Sequence, residues 1–141
     1  MTKKALYDGS GLEQLKRFIA AQGGNPDVIS DYSLFPQHSV ELELKSEEDG
    51  YVASIEARRI GLASQHTGAG RATKEEEIDL SAGLYVCKKV GDPVKKGDVL
   101  AVFYGNDQKK VAGAVAEAAA AFTITSEPVT PPALIKKIIG L

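Results

Sequence analysis

The 141-residue chain carries 17 Lys and Arg against 19 Asp and Glu, a formal net charge of -2, and 43% of its residues are hydrophobic. Those totals describe a single globular domain with an ordinary core, not a disordered chain. They leave no basic footprint for nucleic acid, and an aromatic content of 6% without Trp leaves no base-stacking platform.

A single Cys excludes an intramolecular disulfide framework and a thiolate-rich metal site. Met1-Thr2-Lys3-Lys4 runs into Ala5-Leu6-Tyr7-Asp8 without the apolar core of a signal peptide. No apolar run approaches the ~20 residues of a spanning helix. The expectation is a cytoplasmic chain with no membrane partner.

Taken in order, Ser10 with Glu13 has the spacing of a capping box. It opens a helix with Leu12, Leu15, Phe18 and Ile19 on one stripe, ended by Gly23-Gly24. Asn25-Pro26 predicts an N-cap followed by Pro in the first turn of a short helix reaching Ile29. Leu34-Phe35-Pro36 then extends the chain. Val40, Leu42 and Leu44 alternate with Glu41 and Glu43, the pattern of a half-buried strand. After a polar turn at 45–49 closed by Gly50, residues 51–57 form a second strand, expected to pair antiparallel with the first. Residues 58–65 predict a short helix.

Next comes a loop of glycine and charge, Gly68-Ala69-Gly70-Arg71-Ala72-Thr73-Lys74, before an expected strand near Ile78-Asp79-Leu80. Apolar strands at 84–87 and 99–103 flank Val90-Gly91-Asp92-Pro93-Val94-Lys95-Lys96-Gly97-Asp98, whose Gly, Asp and Pro are turn residues and predict a tight hairpin. Asn106 or Asp107 can cap a long Ala-rich helix with Val111, Val115 and Ala118 or Ala119 inward. Residues 122–125 predict a last strand, and Pro128 to Pro132 lead into an amphipathic tail over 134–139. Hairpins mixed with helices define an α+β fold. There is one internal echo: Asp49-Gly50-Tyr51-Val52 and Gly91-Asp92-Pro93-Val94 both precede β segments, as in small folds made of two interlocked strand halves.

The catalytic inventory is thin. His38 and His66 have no neighbouring Cys or carboxylate cluster at ligand spacing, and a working site needs several positioned partners. Cys87, in an apolar strand, reads as an inert buried thiol. Glu75-Glu76-Glu77 reads as a solvated acidic run. Gly68-Ala69-Gly70 lacks the third glycine and the preceding strand of a dinucleotide fingerprint, and the lysines near Gly97 make no Walker motif. Gly68, Gly70, Arg71 and Lys74 are the residues singled out for a contact with another domain or a ligand; plain loop scaffolding is the alternative. No complete active site, catalytic residue, substrate-binding residue or metal site is assigned.

Several stretches, in order, resemble a known family: Phe18-Ile19-Ala20-Ala21-Gln22-Gly23-Gly24-Asn25-Pro26, Asp49-Gly50-Tyr51-Val52, Ile60-Gly61, Gly68-Ala69-Gly70-Arg71 and Val90-Gly91-Asp92-Pro93-Val94-Lys95-Lys96-Gly97. Their spacing is similar to the C-terminal part of the pyrimidine-nucleoside phosphorylases, which include the thymidine phosphorylases, over residues 12 to about 104. The Ala-Gln-Gly-Gly and Gly-Ala-Gly-Arg motifs carry most of the specificity. His66-Thr67 departs from the apolar residue more usual before that second motif.

The resemblance implies an α/β-hammerhead, barrel-sandwich-like antiparallel sheet with packed helices. It divides the chain into a helical lead-in (1–36) from the larger α/β domain, the hammerhead domain (37–125) and a tail (126–141). It implies a longer homodimeric enzyme that splits thymidine or uridine with phosphate into base and pentose 1-phosphate, with phosphate as co-substrate and no cofactor. The family's phosphate- and base-holding side chains lie upstream of this region, so the chain inherits none of them and is expected to be inactive alone. Its partner is the missing N-terminal part of the same enzyme, and Gly68, Gly70, Arg71 and Lys74 become a loop that makes contacts on domain closure. Leu12, Phe18 and the tail are candidates for exposed docking surface. A non-catalytic interaction module is the alternative. A biotinyl- or lipoyl-like carrier fits less well, because Phe103-Tyr104-Gly105-Asn106 places no Lys at a hairpin tip.

Overall fold

A computed structural model describes residues 2–71 and 73–140, which divide after Gln37 into two compact units. The first holds α1 (Thr2–Tyr7), α2 (Ser10–Ala21) and two 3-10 turns, Pro26–Ile29 and Tyr32–Leu34. The expected capping box at Ser10 does not form. Ser10 is already inside the helix; Gly9 stands before it in a left-handed conformation, and the Asp8 carboxylate accepts from the Ser10 amide at 2.9 Å. Glu13 instead pairs with Lys16 at 3.0 Å. The next start matches the sequence reading: Asn25 Oδ1 accepts from the Asp27 amide at 2.9 Å, with Pro26 opening the turn. None of the described residues of this unit is buried, and Leu12, Leu15 and Phe18 of α2 face solvent.

The second unit contains β1 (Val40–Lys45), β2 (Gly50–Ile55), α3 (Ala57–Ser64), β3 (Gly83–Val86), β4 (Pro93–Val94), β5 (Val99–Gly105), α4 (Gln108–Ala119) and β6 (Phe122–Thr125). They make two three-stranded antiparallel sheets, β1-β5-β3 and β4-β2-β6. With helices packed on them, the class is α+β.

The expected pairing of β1 with β2 is replaced by two others. β1 pairs with β5, from Val40 opposite Gly105 to Leu44 opposite Ala101, while β2 pairs with β4 and β6. Alternating hydrophobicity selects the face a strand buries, not the strand it meets. The turn between them decides. The Ser46 amide donates to the Asp98 carbonyl and the Gly97 amide to the Ser46 carbonyl, both at 2.8 Å, so the chain is captured by the 90–98 segment and crosses to the other sheet.

Residues 90–98 are likewise no tight hairpin. β3 and β5 do pair, Leu84 opposite Phe103, but the connection leaves the sheet so that β4 can join β2. Gly50 lies opposite Val94 and Tyr51 opposite Pro93, so the two echoing segments meet each other. At Gly91 (φ 94°) the backbone takes a form open to glycine, and Pro131 of the C-terminal segment packs where a side chain would stand.

Asp107 caps α4, its Oδ1 accepting from the amides of Lys109 (2.8 Å) and Lys110 (3.1 Å). Val111, Ala114 and Ala118 are buried, and these small side chains let α4 lie close on its neighbours. Phe103, Val52 and Val111 centre the core with Leu44, Leu100 and Ala101. Cys87, expected buried, is exposed: it lies just past the end of β3 and continues the alternation that turns Tyr85 outward. Residues 126–140 form no helix or strand, and Leu134 and Ile139 of the tail are exposed.

Candidate functional site

The glycine loop begins where α3 changes pitch. After Ser64 the helix widens into a π-turn, Gln65–Ala69, a rare form that often marks functional positions. Thr67 is buried there, its hydroxyl donating to the Ser64 carbonyl at 2.7 Å. Gly68 takes φ 113°, a backbone that a side chain rarely adopts, and kinks the turn from within.

Gln65 steadies the start of the loop: its side-chain amide donates to the Arg71 carbonyl at 3.1 Å. The Arg71 guanidinium reaches the Lys74 carbonyl at 3.4 Å, beyond the usual hydrogen-bond range, and both charged residues are exposed. The structure therefore places Gly68, Gly70, Arg71 and Lys74 together on one surface loop. His66 points from the same turn onto α4, its Nδ1 2.7 Å from Glu117 Oε2. Gln65, His66, Gly68, Gly70, Glu76 and Lys110 line a shallow hollow of about 160 Å³ beside it. His38 has other company: its ring lies 4.6 Å from that of Tyr104, with Glu41 at 3.6 Å.

The far end of the loop departs from the sequence reading. Residues 78–80 form no strand. Asp79 instead folds a turn in which its Oδ1 accepts from the Ser81 amide (2.9 Å) and hydroxyl (2.7 Å), the local competition by which Asp breaks regular structure. The Asp79 amide donates to the Gly68 carbonyl at 2.9 Å and closes the loop at its neck. Asn106, at the end of β5, donates to Asp79 Oδ2 and to the Ser81 hydroxyl, both at 2.9 Å, and accepts from the Ser39 amide at 2.9 Å. The Ser81 hydrogen bond is the main cause holding the Asp79 carboxyl below its ordinary range, with Asn106 adding to it.

Sequence reasoning passed over Asn106 except as a helix cap, and placed Asp79 in a strand. Asp79-Leu80-Ser81 does carry a local signal, the Asp that binds its own backbone two residues on. Asn106 carries none, because its partners are 25, 27 and 67 residues away. Among the described residues, no group of three or more His, Cys, Asp or Glu side chains is placed to hold a metal ion. Among them, too, no helix is long and apolar enough to cross a membrane.

This loop and its neck fall within residues 51–125, which match the sequence model of the pyrimidine nucleoside phosphorylase C-terminal domain. The chain is 46% identical over 135 residues to a pyrimidine-nucleoside phosphorylase of Geobacillus stearothermophilus, covering 96% of this chain and 31% of that protein. It is 39% identical over 139 residues to the pyrimidine-nucleoside phosphorylase of Staphylococcus haemolyticus, covering 99% of this chain and 32% of the relative. The Bacillus subtilis pyrimidine-nucleoside phosphorylase is 42% identical over 104 residues, 74% of this chain and 24% of its own length. The chain thus spans about a third or less of the relatives it matches. It belongs to the family of pyrimidine nucleoside phosphorylase C-terminal domains.

Proposed function

We propose that this chain works as the C-terminal portion of a pyrimidine-nucleoside phosphorylase, completing an enzyme that splits thymidine or uridine with phosphate into base and pentose 1-phosphate. The observation that carries this reading is identity of 46% along nearly the whole chain to a protein of that name, of which it covers 31%. Residues 37–125 are the hammerhead domain, 1–36 the lead-in from the larger α/β domain, and 126–141 the tail. The rest of the enzyme supplies the groups that hold phosphate and base, phosphate is the co-substrate, and no cofactor takes part. The assembled enzyme is a cytoplasmic homodimer without nucleic-acid or membrane partners.

Within that enzyme, Gly68, Gly70, Arg71 and Lys74 form a loop that engages the opposing domain on closure. Both cations are exposed, and among the described residues the Arg71 guanidinium makes one long contact, to the Lys74 carbonyl, which leaves it able to form a charge-assisted bond. The apolar stripe of α2 supports the upstream partner, since Leu12, Leu15 and Phe18 lie open in a unit with no buried residue among those described.

Phosphorolysis of thymidine and uridine tests the reading, with the chain alone and then mixed with the upstream two-thirds of the Geobacillus relative. The expected outcome is silence alone and activity on mixing. Activity from the chain alone would place a whole active site within these residues and overturn it. Silence in both, with the two pieces binding each other, would favour a non-catalytic interaction module.

A further inference from the structure

The glycine loop is tied near its start by Gln65, through the Gly70 amide and the Arg71 carbonyl, and is closed at its neck where the Gly68 carbonyl accepts from the Asp79 amide. A single backbone hydrogen bond at a solvent-facing neck contributes little net stability. What reinforces it is one side chain from a distant strand. Asn106 directly follows β5, whose ladders with β1 and β3 run to Gly105 and Tyr104, so the residue is presented from the end of a strand paired on both sides. Its amide orientation is fixed as well: the Ser39 N–H can only donate, so Oδ1 faces it and Nδ2 must face Asp79 and Ser81. Both of its donor hydrogens and its acceptor are then used, one of them on a carboxylate.

We propose that Asn106 is a positioning residue, clamping the neck of loop 69–78 to the β1-β5-β3 sheet and thereby setting where Arg71 and Lys74 are presented. The use of those cations rests on the proposed domain closure; the clamp itself does not. With the neck tied, Arg71 and Lys74 are held nearer one position, which lowers the entropy lost when they engage a partner surface. Released, the same loop is a longer tether and its cations are dispersed.

The exchange of functional groups between Asn106 and Asp79 tests this. Asn106→Asp keeps the acceptor for the Ser39 amide but sets a carboxylate against the Asp79 carboxylate, so the neck opens. Adding Asp79→Asn returns one donor and one acceptor to the pair with their roles reversed. Amide hydrogen exchange of the 141-residue chain reads the result at residue 79, bonded to the Gly68 carbonyl, and at Cys87, whose amide donates to the Leu100 carbonyl at 2.9 Å and reports global opening.

The expected result is a loss of protection at residue 79 of ~10-fold in Asn106→Asp, with Cys87 unchanged and recovery to within ~3-fold in the double exchange. No loss in the single variant, or a double exchange as open as the single one, would overturn the clamp. Should Asn106→Asp expose both amides, Asn106→Ala, which removes the side chain without adding a charge, decides: selective loss at residue 79 supports the clamp, and no selective loss refutes it. Because this readout needs no enzyme activity, its failure leaves the phosphorylase reading standing, and failed complementation leaves the clamp standing.

Discussion

Arg71 and Lys74 project from a loop whose two ends are held and whose middle is open to solvent. If Arg71 gains a charge-assisted bond only when the enzyme closes, Arg71→Ala in the full-length protein lowers kcat/KM by roughly tenfold, the weight of about 1.5 kcal/mol. The melting temperature stays unchanged, because an exposed side chain supports little of the fold. Unchanged kinetics would remove the loop from the mechanism. The acidic residues give a second prediction at this scale. Asp79, Asp98 and Asp107 are each held below the ordinary carboxylate range, chiefly by the Ser81 side chain, the Lys95 amide and the Lys110 amide respectively. A lowered native pKa means that the unfolded chain binds protons first on acidification. Their stabilisation is therefore complete above the ordinary carboxylate range and is lost as pH falls below about 4 through the lowered native values. Thermal melts between neutral and acid pH are expected to show that limb, and Asp79→Asn to flatten it. A melting temperature independent of pH through this range would contradict the assignment.

β5 is the element that most of the second unit depends on. It pairs on both sides, buries Leu100, Ala101 and Phe103, and is followed at once by Asn106, which bonds the neck of the glycine loop. Phe103 is fully buried, so Phe103→Ala leaves a cavity and costs about 3–5 kcal/mol in urea unfolding. Tyr85, on the neighbouring strand, is 65% exposed, so Tyr85→Ala stays within about 0.5 kcal/mol. Equal costs would mean that burial across this sheet is misplaced. The same contrast explains Cys87, which an apolar stretch of sequence made look buried. In a strand, alternate positions face opposite ways; here Tyr85 faces outward, and Cys87, one residue past the end of β3, continues that pattern.

For the whole molecule, the two units differ in what holds them. The second has a continuous core around Phe103, Val52 and Val111, whereas the first has no buried residue among those described. Covering a Leu or Phe side chain contributes about 1.5–3 kcal/mol, so the α2 stripe represents a substantial unused driving force. Leu12→Asp with Phe18→Asp is expected to abolish complementation by the upstream two-thirds of a relative while leaving urea unfolding of the second unit unchanged. Complementation at wild-type strength would show that the stripe is not the docking face.

Wherever the deciding chemistry was local, the residues alone were enough. Asp107 caps α4 because its carboxylate reaches amides two and three residues on, and Asn25-Pro26 starts its turn for the same kind of reason. The inward faces of β1 and α4 came from periods of 2 and 3.6, and the run of motifs pointed to the family. Tertiary structure decided what alternation leaves open. β1 and β2 went to different sheets because Ser46 bonds the backbone of Gly97 and Asp98, and the two echoing segments paired with each other. It also decided the loop neck, since the Asn106 amide meets Ser39, Asp79 and Ser81 only after β5 has brought it there. A hydrogen bond depends on separation in space, and across dozens of residues a linear pattern does not specify that separation.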